Sequence, residues 1–463
     1  MPFPDRFIRF IMFLFVSLSC GDNRFKSFLN VSKRFLPFHS MRVTTCALHS
    51  TTRAVPTGLG ARLAGSLASE EVWEPHSSPY PSSHALLPPS TPLLSPRRAA
   101  QLEVARWAEM CGLREELRGL CEAQRVRTPM NAFERWRFHS KWEEEADGLP
   151  TEPLLPAKPP AADGEASPSE GGEGEGEGGV AGSADARMLA DLRRAGLSPA
   201  ASRSLLLRLR ASSAARAEQL ARLCASLRRD GAAGAIGRLR VRIKQGEDGS
   251  SLLSLSLSEG GPPTPLPSLR LTSAHLRKLS ELYTRHAGSS HPSCSPREER
   301  RFRFRLAALL LRYEAIGGLG FQAALGGAAL GAMQRELGTN FECFASPLNC
   351  FYGAYCSAFP DVDVPFGSLG SFNAFQPIRG SYEVNPPFVD GIIDQTATKL
   401  LSHLQTAQRG DESLSFVVAL PGWLDSKGLA LLEASPFLRA RLLAAALDAC
   451  MTLQQTTFGS PES

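Results

Sequence analysis

Residues 385–388 read Asn-Pro-Pro-Phe, and they follow Ser381-Tyr382-Glu383-Val384, a run with the composition of a strand. An Asn-Pro-Pro-aromatic turn at a strand end suits one task well, holding an exocyclic amine for methylation. Asn385 offers a side-chain carbonyl as acceptor. Pro386 and Pro387 fix φ, contribute no N–H, and leave their carbonyls rigidly placed. Phe388 offers a flat face on which a purine can stack. A nucleobase amine needs such help because its lone pair is delocalised into the ring. Two fixed acceptors orient its hydrogens and aim the lone pair at a methyl donor, which is catalysis by alignment and calls for neither metal nor general base. The plain alternative is a strand that ends at Pro-Pro after a turn-forming Asn. The tetrapeptide alone does not separate the two.

The flanking sequence supplies elements that could position this turn. Asn340–Phe344 reads as a strand running into Ala345-Ser346-Pro347-Leu348-Asn349. Thr396–Thr406 reads as a crossover helix, and Leu414–Leu420 is nearly continuous in apolar residues, as a buried parallel strand requires. Strand, turn, helix and strand make a right-handed βαβ unit. Its turn lies at the carboxyl end, where open α/β sheets bind ligands. Pro421-Gly422-Trp423 closes the next strand, and Trp423 either lines a substrate pocket or packs in the core. Glu383 points away from Tyr382 and is a candidate contact for a cofactor or for Asn385. Phe366-Gly367-Ser368 reads as a loop over a ligand, with Asp361 and Asp363 nearby as carboxylates. Leu429–Met451 is predicted helical. Thr452–Ser463 offers no further strand, so the sheet is expected to be incomplete, with a buried strand at its edge.

Several stretches together resemble the cap-specific mRNA (2′-O-methyladenosine-N6-)methyltransferase family, also called phosphorylated CTD interacting factor. They are Phe341–Cys350, Tyr355–Asp361, Phe366–Ser368 and the turn at 385–388, with Arg127–Trp136 and Leu309–Glu314 upstream. The resemblance covers roughly 101–146 and 269–432 with gaps, and is densest over 340–388. It implies an α/β fold, a Rossmann-type S-adenosylmethionine-dependent methyltransferase domain at 340–455 after an α-helical region. Asn385, Pro386, Pro387 and Phe388 would be catalytic. Ser346, Pro347 and Asn349 would cradle S-adenosylmethionine, with Phe366, Gly367, Ser368 and Glu383 as further cofactor contacts. The implied substrate is the capped 5′ end of mRNA in the nucleus, methylated at N6 of the first 2′-O-methyladenosine. DNA and membranes are not expected partners. The family's WW module, which would bind the phosphorylated tail of RNA polymerase II, wants two tryptophans about twenty residues apart around an aromatic groove. The N-terminal region holds only Trp73, and the next tryptophan is Trp107, so the module is expected to be absent. Two alternatives stay open: a catalytically impaired paralogue that binds RNA or RNA polymerase II, and an adenine methyltransferase acting on internal RNA or DNA.

Composition bounds the rest. The 463 residues allow two or three domains, and the 40 Gly and 34 Pro cluster in 77–97, 152–182 and 246–267. Residues 1–98 read as mostly disordered. Residues 99–339 read as helical, interrupted by an acidic Gly/Glu linker at 152–184 and a Ser/Pro-rich loop at 246–268. Net charge is +5, too mild to imply a nucleic-acid partner by itself. Arg297, Arg300, Arg301, Arg303 and Arg305 form the densest basic cluster. It is either a clamp for an RNA 5′ end, with Arg301 and Arg305 as contacts, or a solvated helix face. Ten cysteines show no paired Cys-x-x-Cys spacing, so no metal site is expected, and Cys343, Cys350 and Cys356 read as small buried apolar groups. Phe10–Cys20 resembles a signal-peptide core but is too short to span a bilayer as a helix. It is read as an N-terminal extension ahead of a second possible start at Met41.

Overall fold

The computed structural model describes residues 10–17, 42–44, 84–85, 93–146, 152–159, 183–229, 238–245, 250–258, 264–266, 269–287, 295–317, 323–423, 425–445 and 452–453. Its main strands are β1 (Phe10–Ser17), β2 (Arg42–Thr44), β3 (Arg238–Gln245), β4 (Ser250–Ser258), β5 (Glu342–Ala345), β6 (Tyr355–Ser357), β7 (Gly380–Val384), β8 (Leu414–Pro421) and β9 (Leu438–Ala445). The helices that matter below are α1 (Pro96–Ala123), α2 (Ala132–Ala146), α3 (Ala184–Arg194), α4 (Pro199–Arg228), α5 (Ser273–His286), α6 (Pro296–Ile316), α7 (Gly327–Leu337), α8 (Asp390–Arg409) and α9 (Lys427–Glu433). Two compact units result. One gathers Met1–Pro92, Thr272–His291 and Gly320–Thr457; the other gathers Leu93–Leu271 and Pro292–Leu319.

The first unit is a mixed α/β layer around a seven-stranded sheet, in the order β6-β5-β7-β8-β1-β9-β2. β6, β5, β7 and β8 run parallel, and Glu383 of β7 stands in register with Glu342 of β5. β8 reads as a continuous apolar run because both of its faces are covered, with Phe416, Val417, Val418, Ala419 and Leu420 all buried. α8 follows the turn at 385–388 and buries Ile393, Ala397, Leu400, Leu404 and Ala407, a stripe with helical spacing. That stripe faces Phe341, Cys343, Tyr382, Val384, Phe416 and Val418 from the strands.

Two expectations fail at the far side of this sheet. β8 is not an edge: β1 pairs with it antiparallel from Ile11↔Pro421 to Ser17↔Ser415, and β9 pairs with β1 in turn. The apolar run read as signal-like is therefore sheet backbone, satisfying the ladder that a lone β8 would leave open. The helix expected over Leu429–Met451 stops at Glu433, and Leu438–Ala445 is a strand. A period-2 pairing partner at β1 decided that segment, which its Leu/Ala/Arg composition left reading as helix. Of the residues expected to be disordered before Leu93, 10–17, 42–44 and 84–85 are strands, and the rest lie outside the described residues.

The second unit is largely helical. α1 packs along α6 and against α4, and α2 packs on α3. Glu103 is its buried anchor: Oε1 and Oε2 each accept from Arg312 at 2.7 Å, and Arg106 joins Glu103 to Glu152, donating from Nε at 2.9 Å. α4 runs unbroken through Ser212, whose hydroxyl donates to Glu116 at 2.6 Å instead of to its own backbone. Ser250–Ser258, expected within a loop, is strand β4, paired antiparallel with β3. Its alternation of Ser251, Leu253 and Leu255 inward with Ser254 and Ser256 outward is a period-2 pattern hidden by its serines.

Helices α8 and α9 approach closely at Gly428, where a Cβ would lie 2.8 Å from the Ile393 carbonyl carbon and oxygen. Gly428 N–H also donates to Asp394 at 2.6 Å. Gly428→Ala should therefore destabilise this unit by about 1–3 kcal/mol, the usual cost of overpacking, measured by denaturant unfolding. An unchanged midpoint would show that the contact relaxes freely. In the second unit, Glu103→Ala should cost about 3–5 kcal/mol, because it strips two buried guanidinium groups of a shared carboxylate.

Candidate active site at the carboxyl edge of the parallel sheet

Because β6, β5, β7 and β8 are parallel, the segments that follow them emerge at one edge. The chain leaves β5 toward β6 on one side and β7 lies on the other, so a topological switch point falls between β5 and β7. This is where open α/β sheets bind ligands. The turn after β5 holds Ser346, Pro347 and Asn349; the turn after β7 is Asn385-Pro386-Pro387-Phe388. The sequence-predicted groups of these two turns are thus brought together.

β7 ends where it does because Pro386 and Pro387 cannot donate to a ladder. Pro386 is buried, Asn385 and Phe388 are half-buried, and the Asn385 side-chain oxygen is itself buried. The Pro387 carbonyl accepts the Val389 N–H at 2.7 Å as the chain enters α8. Trp423, beyond β8, meets Phe388 edge-on, with ring centroids 6.4 Å apart and planes at 72°. Trp423 therefore belongs with the turn as well as packing against the core.

The turn after β5 is closed on itself. Asn349 Oδ1 accepts from both the Ser346 N–H and its hydroxyl at 2.7 Å. No glycine is needed because the carboxamide replaces a backbone partner. Two groups that the sequence reading passed over hold the turn. Glu342 Oε2 accepts the N–H groups of Phe351 and Tyr352 at 2.8 and 2.9 Å. From α5, Lys278 donates to the carbonyls of Leu348 and Cys350 at 3.3 and 2.7 Å. A single carboxylate inside an otherwise apolar strand was the available signal for Glu342; Lys278 had none, since it arrives from a distant helix.

Phe366, Gly367 and Ser368 do not form a loop over a ligand. All three are buried, and Ser368 runs alongside β6, level with Tyr355, so Phe366 and Gly367 lie toward that strand's amino end. Phe366 packs on Tyr283 with centroids 5.9 Å apart. Gly367, at φ 104°, passes under His286, where a Cβ would come within 2.7 Å of the ring. Burial, reinforced by Arg285, holds that imidazole down at about 4, so it is neutral at pH 7. Ser368 and Ser357 share a 2.6 Å hydrogen bond. An apolar Phe366 found a core to enter, which the Asp, Pro and Gly around it concealed. Of the two nearby acids, Asp361 is exposed and Asp363 is fully buried. Cys343, Cys350 and Cys356 are buried thiols, with Cys350 pushed up to about 12 by burial.

Glu383, a predicted contact, lies beside Glu342 on the adjacent strand, about 4.8 Å away along the ladder direction. Both are buried. Burial lifts Glu342 to about 7, against the two N–H donors and Lys278, which pull it down. Glu383 is raised as well, by burial first and then by Glu342. Two residues beyond, on the same face, stands Asn385.

The predicted RNA contacts Arg301 and Arg305 belong to the second unit. Arg305 is buried and donates to the Leu94 carbonyl at 2.7 Å, while Arg301 pairs with Glu298 at 3.1 Å. Arg303 pairs with Glu299. Arg301, Arg303 and Arg305 of that cluster thus have partners within the protein, while Arg297 and Arg300 are exposed, and Arg305 is a structural tie rather than a phosphate contact. Among the described residues, no helix is long and apolar enough to cross a membrane.

The parallel strands and their switch point define a mixed α/β protein, and sequence comparison narrows this. The profile of the family described as phosphorylated CTD interacting factor 1 WW domain matches residues 278–452, from within α5 to beyond β9. The match holds one tryptophan, Trp423. The mRNA (2′-O-methyladenosine-N(6)-)-methyltransferase of Homo sapiens is 40% identical over 157 residues, and its Mus musculus counterpart 39%. Each alignment covers 32% of this chain and 22% of the relative. The chain thus spans about a fifth of the length of the curated relatives it matches. Over this segment the chain is similar to the phosphorylated CTD interacting factor family.

The paired acids make a pH prediction. A raised carboxyl holds its proton to higher pH when folded than when unfolded. The folded state therefore binds more protons between about pH 4.5 and 7, and stability is lost as pH rises through that window. Glu383→Gln removes one titration. Its melting temperature should fall less than the native protein's between about pH 5 and 8, by differential scanning fluorimetry. Parallel curves would show that the pair is not coupled to folding.

Proposed function

We propose that this chain is an S-adenosylmethionine-dependent methyltransferase of Rossmann type, acting on N6 of the cap-adjacent 2′-O-methyladenosine of mRNA in the nucleus. The observation that carries the reading is the Asn385-Pro386-Pro387-Phe388 turn, standing at the switch point between β5 and β7 with Trp423 edge-on to Phe388. That sheet edge suits the cofactor: it has the Ser346 hydroxyl, the buried Asn385 carbonyl and, on the strands behind them, two buried carboxyls. Ser346, Pro347 and Asn349 would hold it on one side and Asn385 on the other. Bound there, it supplies an electrophilic methyl group. Phe366, Gly367 and Ser368 stabilise β6 in this reading and do not touch it.

The chain's own work is positioning. Asn385 Oδ1 and the Pro386 carbonyl accept the two amine hydrogens, since the Pro387 carbonyl is engaged by Val389. Phe388 stacks on the adenine and Trp423 braces Phe388. An adenosine at an RNA end costs little to unstack. Capped mRNA is the substrate, and the phosphorylated tail of RNA polymerase II is the protein partner that the family name suggests. The alternative of an inactive binding paralogue rested on a sheet that stops at β8; with β1 and β9 beyond it, that ground is gone.

Purified protein should transfer a labelled methyl group to an RNA beginning with a cap and 2′-O-methyladenosine, and not to the uncapped RNA. Asn385→Ala should lower the rate by about 10²-fold or more, as loss of one preorganised polar contact does elsewhere. Equal transfer to both RNAs would point to an adenine methyltransferase indifferent to the cap. No transfer by a folded protein would overturn the enzyme reading.

A further inference from the structure

The β3–β4 hairpin of the second unit carries a basic surface that the active-site reading does not use. Its two faces differ sharply. On one, Leu239 and Val241 are buried opposite Leu257 and Leu255, and α6 packs against β3. On the other, Arg240, Arg242 and Lys244 are exposed, and their cross-strand partners are Ser256, Ser254 and Leu252. Alternate residues of a strand stand about 6.6 Å apart, so three cations form a straight row, flanked by two hydroxyls. That spacing is comparable with the step between phosphates of an extended nucleotide strand.

The buried and half-buried arginines of this unit are engaged: Arg106, Arg114, Arg210, Arg216 and Arg312 each face a carboxylate at 2.5–2.9 Å. On α6, Arg301 and Arg303 pair with Glu298 and Glu299, and Arg305 with the Leu94 carbonyl. Among the described residues, no carboxylate pairs with Arg240, Arg242 or Lys244; Glu247, Asp248 and Glu259 near the hairpin's ends lie outside them. A single lysine suffices to blunt a sheet edge against aggregation, so a same-sign row with serine partners asks for another account. Nothing aromatic lies in the row, so it would read charge and not bases.

We propose that the Arg240–Arg242–Lys244 face of the hairpin binds the phosphate chain of single-stranded RNA. Its choice of partner rests on the RNA reading above. Each cation sits over a backbone phosphate and releases a condensed counterion, and the Ser254 and Ser256 hydroxyls donate to the same oxygens. This puts the phosphate contact on β3 rather than on α6, where the sequence left an RNA clamp and a solvated face both open.

The test is fluorescence anisotropy of the full chain with a short labelled single-stranded RNA, capped and uncapped, across a salt series. Arg240→Ala/Arg242→Ala/Lys244→Ala should weaken binding of both RNAs roughly 100-fold at ~0.1 M salt, and lower the slope of log affinity against log salt by about 2, since each single-strand contact contributes about 0.7. Arg240→Lys/Arg242→Lys should keep the slope. A charge-matched control, Arg203→Ala/Arg208→Ala/Arg228→Ala on exposed positions of α4, should change affinity by less than about threefold. An unchanged slope in the hairpin triple, or an equal loss in the control, would overturn the proposal. So would a hairpin triple that loses an acidic phosphopeptide but keeps RNA, which would make this a peptide surface. RNA binding lost in the triple alongside absent methyl transfer by the native protein would sink the catalytic reading and leave this one standing.

Discussion

Parallel pairing of β7 between β5 and β8 is the constraint on which the rest of the site depends. It sends the turn after β7 and the turn after β5 out at the same sheet edge, on adjacent strands, with Glu383 level with Glu342. The two prolines end the strand because they cannot extend the ladder, and the half-buried Asn385 and Phe388 are left at the lip. A one-residue slip of β7 would turn Tyr382 and Val384 out of the core and reverse every group at the site. The aromatic cluster that Tyr382 makes with Phe341, Phe375 and Phe416 opposes such a slip.

The crevice is supported from below by charge that would be unfavourable elsewhere. Glu342 satisfies two backbone N–H groups of the segment after β5, and Lys278 satisfies two carbonyls of the same segment. Glycine-rich phosphate loops achieve closure with backbone freedom; here a side-chain carboxylate, an ammonium and the Asn349 carboxamide achieve it with hydrogen bonds. Burying the second acid, Glu383, beside the first requires that a proton be retained between them. The helical unit solves a comparable problem differently, by surrounding Glu103 with two guanidinium groups.

How much of this was legible beforehand follows from how local each cue is. The turn at 385–388, the strands β5, β7 and β8 and helix α8 are visible in the sequence because proline chemistry and apolar periodicity act over a few residues. The cofactor reading of Phe366-Gly367-Ser368 was misled by the same locality: glycine and aspartate suggest a surface loop, yet Phe366 packs against Tyr283, more than eighty positions earlier. Arg305 carries a charge that suggested RNA, and only its neighbour Leu94 shows it to be a tie. Ser250–Ser258 hid a strand because serine carries little hydrophobic signal on the outward face.

By itself, then, the sequence determined the chemistry on offer: an acceptor-rich Asn-Pro-Pro-Phe turn on a buried parallel strand, and a row of cations at alternate positions of 238–245. These are properties of neighbouring residues, set by covalent geometry and side-chain type. Only the tertiary structure decided which strand covers β8, which acid stands beside Glu383, and which arginines are engaged. Those outcomes depend on backbone ladders and charges that find partners in other elements, 41 residues apart for Glu342 and Glu383 and about 400 for β1 and β8. Such pairings are chosen by the free energy of the whole packed unit, not by any stretch of chain read alone.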